Sequence, residues 1–231
     1  EVFRLPAGSQ VGTCLHGLLA GLDFPQAHGQ QLAEAVRHAL DSCGRLAADG
    51  QGPSLDWAPA VERLVGHALD TDLPLPSGVP GEPLRLRSLE RGHRLDELEF
   101  HFPVDRLELA RLRRLLAGYP RYRHAADALR EQQPLRGLVR GFVDLVWRHG
   151  GRYWVADYKS NRLGDRLEDY GQPALEQAMQ EHRYDLQALI YTVAMHRYLR
   201  RRVPDYQYDS HFGGVYYLFL RGMRPGQGCL A

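Results

Sequence analysis

Cysteine and lysine are both scarce in this sequence. The three cysteines, Cys14, Cys43 and Cys229, are far apart and form no C-x-x-C pair. That argues against a disulfide framework, a structural zinc and a four-cysteine iron–sulfur cluster. Long apolar runs are also missing: the longest is Val215-Tyr-Tyr-Leu-Phe-Leu220, well short of the ~18 residues that a membrane helix needs. The opening Glu1-Val-Phe-Arg-Leu-Pro6 carries neither an initiator Met nor a signal-peptide pattern, which predicts a piece of a longer cytoplasmic chain. An excess of one charge is absent as well. The formal net charge is +1, so no general basic surplus announces nucleic acid. What remains, 231 residues at 44% hydrophobic and 25% charged, is the composition of an ordinary globular protein able to bury a core.

The balanced charge hides a bias. Of 29 basic residues, 28 are Arg and one, Lys159, is Lys. The bland cause is a genome whose base composition favours Arg codons; under such a drift a lone surviving Lys is a candidate for a site that the wide guanidinium fork cannot serve.

Periodicity divides the chain into a mostly helical part (1–90), a core of strands and helices (91–222) and a tail (223–231), read together as one domain. Helical spacing predicts helices over Val11–Leu22, Gln30–Leu46 and Trp57–Leu69, followed by a Pro/Gly-rich loop from Pro74 to Pro83. Leu95–Phe102 then alternates, with Leu98, Phe100 and Phe102 on one face and Glu97, Glu99 and His101 on the other. Asp105–Leu116 reads as a helix, and the Arg111, Arg113, Arg114, Arg121 and Arg123 stretch as a solvated face more than a phosphate track. Pro173–Arg202 reads as one long or two shorter helices, and His211–Leu220 as a final strand.

The most informative segment is Leu138–Ser160. Two β-rich runs, Leu138–Arg148 and Arg152–Lys159, flank Gly150-Gly151, the composition of a two-residue hairpin turn that needs positive φ at both central positions. A turn centred there sets Trp147 opposite Trp154 and Leu145 opposite Ala156 on an apolar side. It sets Asp144 opposite Asp157 on the other. Like charges so placed destabilise a sheet, unless a divalent cation with a preference for hard oxygen ligands sits between them. Lys159, two residues after Asp157, projects from the same face. The apolar neighbours Phe142, Val143, Val155 and Ala156 argue against a fully wet strand pair. The chemistry that needs such a set is phosphodiester hydrolysis, in which a cation acidifies water and polarises the phosphate while Lys159 orients the nucleophile or steadies developing charge.

Four motifs in order carry a resemblance. Gly141-Phe-Val-Asp144, Asp157-Tyr-Lys-Ser-Asn161, Tyr184-Asp-Leu-Gln187 with Tyr191, and His211-Phe-Gly-Gly-Val-Tyr-Tyr-Leu-Phe-Leu-Arg-Gly222 resemble the nuclease domains of RecB-type helicase–nucleases. These belong to the PD-(D/E)xK, restriction-endonuclease-like superfamily. The resemblance is dense from Gly137 to Gly222 and patchier before that. It implies an α/β (α+β) fold: a mixed central sheet flanked by helices, with a helical N-terminal part. It implies that Asp144, Asp157 and the backbone carbonyl of Tyr158 hold the metal, that Lys159 is the catalytic lysine, and that His16, in Gly12-Thr-Cys-Leu-His16, is a further ligand. Read alone, a single His on a helix is more often a core or surface residue. Glu97 matches the family's additional acid, with Glu99 on the same strand face as the alternative. Gln187 and Tyr191, one helical turn apart, match a Gln/Tyr pair; read alone, they serve equally well to pack a helix against the sheet.

The activity implied is a Mg²⁺-dependent deoxyribonuclease acting on single strands in double-strand-break repair and recombination. Ca²⁺ could occupy such a site without supporting cleavage. The implied partners are DNA (single strands and duplex ends), the helicase part of the same chain, the RecC and RecD subunits and the RecA recombinase, in a nucleoid-associated setting. The alternatives are a catalytically silent docking module on the same fold and a stand-alone endonuclease.

Overall fold

The computed structural model describes residues 1–44, 56–76, 78–129 and 133–225. Three helices open the chain: α1 (Ser9–Gly21), α2 (Gly29–Ser42) and α3 (Ala58–Asp70). Leu46, expected at the end of the second helix, and Cys229 lie outside the described residues. The helices form where Leu15, Leu18 and Leu19, then Leu32, Val36 and Leu40, then Val61, Leu64 and Val65 line one face each, and all of these are buried. Two short paired strands that the sequence pattern did not indicate, β1 (Asp72–Leu73) and β2 (Leu84–Arg85), close the Pro/Gly-rich segment.

The main sheet has the order β3-β4-β5-β6. Its strands are β3 (Arg94–Leu107), β4 (Leu135–His149), β5 (Arg152–Lys159) and β6 (Phe212–Phe219). The first three are antiparallel neighbours, and β6 runs parallel to β5, so the sheet is mixed as expected. The expected helix from Asp105 begins late. Residues 105–107 extend β3, and α4 (Leu109–Ala117) follows, then α5 (Arg123–Ala128). Pro173–Arg202 resolves into two helices, α6 (Gln172–Glu181) and α7 (Tyr184–Arg202), which part at the left-handed Arg183 (φ 57°). A short α8 (Tyr208–His211) leads into β6.

The β4–β5 turn behaves as its glycines require. Gly150 and Gly151 have φ of 58° and 77°, and the ladder pairs Trp147 with Trp154 and Leu145 with Ala156. Those four pack with the N-terminal helices, while Val155 and Phe212 pack on the other face with Tyr191, Met195 and Leu199 of α7. Burying a side chain of this size contributes roughly 1.5–3 kcal/mol, so the two apolar faces hold the sheet between helical layers. One expectation fails: Phe142 is 49% exposed, whereas Val143, Val155 and Ala156 are fully buried. Val143 beside it packs on α7, so Phe142 projects from the opposite face of the ribbon, outside both apolar clusters.

Candidate active site

Strand period places the acid–lysine pair. Along β5, Trp154, Ala156 and Tyr158 face α1–α3, so Val155, Asp157 and Lys159 face α7. Both Asp157 and Lys159 are buried, and they meet as an ion pair with Nζ 2.5 Å from Oδ2. A buried charge of either sign is tolerable only with partners, and α7 supplies them. Tyr191 Oη donates to Asp157 Oδ1 at 2.7 Å, Gln187 Nε2 donates to Tyr191 Oη at 2.7 Å, and Lys159 Nζ donates to Gln187 Oε1 at 3.1 Å. Gln187 and Tyr191, at i and i+4, thus present one edge of α7 to the pair. The chain is circular: carboxylate, ammonium, amide and phenol each touch the next.

Two aromatic residues complete the lysine's surroundings, and the sequence reading assigned neither a role. Lys159 Nζ lies 3.8 Å from the Tyr184 ring centroid and 5.2 Å from that of Tyr217, within the range of cation–π attraction. Tyr217 sits beside Asp157 in the parallel β5–β6 register and donates to Gln187 Oε1 at 3.2 Å. The signal was available: both tyrosines stand inside the quoted motifs.

Asp144 does something the hairpin arithmetic does not show. The β4–β5 ladder stops at Leu145–Ala156, and one residue further the Asp144 carboxylate takes the place of a backbone acceptor. Its Oδ2 accepts from the Tyr158 N–H at 2.7 Å. Here the strands change partners in the core: Leu145 packs with the N-terminal helices, Val143 with α7. Across the ribbon, Glu97 lies between the pairs Asp96–Leu145 and Leu98–Val143 and takes a positive φ of 49°.

His16 arrives from α1. Its Nε2 lies 2.8 Å from the Tyr158 carbonyl oxygen and its Nδ1 3.3 Å from Asp144 Oδ1. The helix comes this close with Gly12 against the residue that follows β5: a Cβ there would stand 3.2 Å from Ser160 Oγ. Burial works against a charge on His16, but the hydrogen bond and charge of Asp144, with Asp157 behind it, raise its pKa. Burial likewise pushes the Asp157 carboxyl above the usual carboxylate range; Lys159 opposes that and Asp144 adds to it. The Tyr191 hydroxyl is driven up by burial and by Asp157, so it stays a proton donor.

The other two acids separate. Glu99 is exposed and its carboxylate receives Arg140 Nε from the neighbouring strand at 2.6 Å. Glu97 is exposed and, like Asp144 on β4, falls between the pairs Asp96–Leu145 and Leu98–Val143 without being paired in the ladder. Among the described residues, no three His, Cys, Asp or Glu side chains cluster closely enough to hold a metal ion. The donor set nevertheless suits a hard divalent cation. His16 touches both Asp144 and the Tyr158 carbonyl, and Asp144 accepts from the Tyr158 N–H beside that carbonyl. Asp157 Oδ2, buried, has no hydrogen-bond partner among the described residues beyond its ion pair with Lys159. Carboxylate and carbonyl oxygens with one imidazole are ligands such a cation accepts.

The model of the PD-(D/E)XK nuclease superfamily matches residues 3–228. The chain belongs to that superfamily. Nucleases of the PD-(D/E)XK superfamily depend on divalent metal ions, and the Asp157-Tyr158-Lys159 run on β5 supplies the acid-x-lysine part of its signature. Among curated relatives, the chain is 39% identical over 229 residues to the RecBCD enzyme subunit RecB of Escherichia coli (strain K12), which covers 97% of this chain and 18% of that protein. It is 33% identical to the RecB subunit of Haemophilus influenzae, over 96% of this chain and 17% of that one. To the RecB subunit of Mycobacterium tuberculosis (strain CDC 1551 / Oshkosh) it is 36% identical, over 95% and 21%. The chain therefore spans about a fifth of the length of these relatives. Among the described residues, no helix is long and apolar enough to cross a membrane.

Proposed function

We propose that this chain is the nuclease part of a RecB-type helicase–nuclease and hydrolyses phosphodiester bonds of DNA with Mg²⁺. The observation that carries the reading is the closed circuit of Asp157, Lys159, Gln187 and Tyr191. A surface hairpin has no use for it, and a nuclease needs it to hold an acid and an amine at fixed separation. Asp144, Asp157, the Tyr158 carbonyl and His16 would hold the cation, with Glu97 as the additional acid across the ribbon. When bound, the cation supplies Lewis-acid stabilisation of phosphate charge. Lys159, fixed from three sides, sets its ammonium toward the attacked phosphate and the charge that builds there. Tyr191 keeps Asp157 oriented and ionised by donating to one oxygen, which leaves the other for the cation or the lysine.

RecB relatives are named as subunits of the RecBCD enzyme, and that assembly supplies the proposed partners RecC, RecD and the helicase part of the same chain; the RecA recombinase is a further proposed partner outside it. Single strands are the proposed substrate, with duplex ends as the entry point of the whole enzyme. The near-zero net charge predicts weak, strongly salt-dependent holding of DNA by this piece alone. The test is cleavage of linear single- and double-stranded DNA in Mg²⁺, Ca²⁺ and EDTA, with Asp157→Ala beside the wild type. Cleavage in Mg²⁺ alone, abolished in Asp157→Ala, is expected; cleavage that survives Asp157→Ala or EDTA overturns the assignment.

A further inference from the structure

A cavity of about 600 Å³ opens beside Lys159, between the start of α1, the loop that leaves β5 and the C-terminal half of α6 running into Tyr184. The hydrolytic scheme above leaves it without a role. It is not remote from the chemistry: its floor begins at Ser160, next in sequence to Lys159, and Tyr184 lines it while also contacting the Lys159 ammonium.

We propose that this cavity seats one unpaired base of the DNA strand next to the bond that is cut, with the His182 ring as its stacking platform. The proposal rests on the nuclease reading above. Its volume falls within the ~300–1,000 Å³ of small-ligand sites. The decisive feature is a ladder of rings. His182, exposed at the cavity wall, stacks on Tyr184 with centroids 5.2 Å apart and planes at 21°. Tyr184 stacks in turn on the fully buried Tyr217 at 5.5 Å and 20°. The outer ring is therefore flat, solvent-facing and backed by a rigid aromatic support, the arrangement on which any base can stack irrespective of sequence. Beside it, Asn161 uses Oδ1 to accept from Tyr184 Oη at 3.2 Å, which leaves its amide N–H groups as that side chain's donors toward a base edge. A phosphate is the poorer occupant. Arg162 is engaged by Asp165, and Glu181 adds a negative charge to the wall. A base reaches a concave seat only out of a duplex stack, so the cavity itself selects single strands.

The test uses an oligothymidylate carrying one 2-aminopurine at successive positions, titrated onto the chain in EDTA so that it is not cut. Stacking on His182 quenches the 2-aminopurine emission at one position. His182→Ala is expected to lose that quench and weaken binding about fivefold or more, and His182→Phe to restore both. The same probe in a duplex, already stacked, shows no further quench when the chain is added. A wild-type chain that shows no quench, or His182→Ala that quenches and binds like wild type, overturns the base seat. Cleavage in Mg²⁺ is scored separately. A chain that stacks the base but does not cut keeps the seat and loses the nuclease reading, whereas one that cuts without quenching loses the seat alone.

Discussion

Tyr191 on α7 donates to Asp157 on β5 at 2.7 Å, so the helix beneath the sheet holds the acid that the sheet presents. Removing the hydroxyl in Tyr191→Phe leaves the ring's packing against Val143 and Met195 in place but frees one carboxylate oxygen. Outer partners of metal ligands are worth about 10–100-fold in affinity or activity. Tyr191→Phe is therefore expected to cleave at least about tenfold more slowly, to need more Mg²⁺ for half-maximal rate, and to unfold at a lower temperature, because the buried Asp157 carboxylate and the Gln187 amide each lose a partner. A Mg²⁺ titration of the cleavage rate checks it.

Lys159→Arg keeps the charge and changes the shape. The ammonium sits 2.5 Å from Asp157, 3.1 Å from Gln187 and 3.8 Å from the Tyr184 centroid, a space that a planar fork does not fit. The expected outcome is a loss of about 100-fold or more in cleavage rate, measured in single turnover. Near-normal rates would show that charge alone suffices.

His16→Gln removes the imidazole that links α1 to the Tyr158 carbonyl and Asp144. It is expected to raise the cation concentration for half-maximal cleavage by about tenfold or more. Calorimetric titration of the chain with a divalent cation reads the same change without any turnover.

A pH-dependent prediction concerns the N-terminal helices. Arg87 binds Asp70 through Nε–Oδ1 at 2.5 Å and Nη2–Oδ2 at 2.9 Å. That hydrogen bond, with the Arg87 charge, holds the Asp70 carboxyl below its usual range. Because the folded pKa lies below the unfolded one, the pair stabilises the fold above the unfolded carboxyl's ~3.9. The contribution disappears as pH falls through the folded value. With Asp70 partly exposed, it is discounted to about 1 kcal/mol. Asp70→Asn is expected to melt below the wild type at pH 7 and to converge with it in acid, as thermal unfolding at stepped pH will show.

Gly213→Ala tests the sheet edge. A Cβ there would stand 2.3 Å from the Trp154 ring, at the irregularity where the β5–β6 register shifts between Tyr153 and Trp154. Overpacking of this kind costs about 1–3 kcal/mol, read as a lowered denaturant midpoint.

Much of this site is legible from residue order. Gly150-Gly151 demands a tight turn, the turn sets the register, and the two-residue period of β5 then puts Asp157 and Lys159 on one face opposite Trp154 and Ala156. Those steps are local: each depends on backbone geometry within a few residues, which composition dictates. The helical faces of α1–α3 follow for the same reason.

Other features needed the assembled chain. The ladder ends one pair early, and the Asp144 carboxylate turns to the Tyr158 amide, because the ribbon changes the layer it packs against at Asp144 and Glu97. No alternation pattern encodes that, since it depends on which helices cover each half of the strand. His16 reaches the Tyr158 carbonyl across 142 residues with a helical glycine, Gly12, letting α1 close on the end of β5, and Tyr184 and Tyr217 enclose the lysine because a parallel strand and a distant helix meet there. Periodicity determined which side chains share a face. Contacts between segments far apart in the chain decided which of them touch, because packing energy belongs to the whole core and not to any one stretch of it.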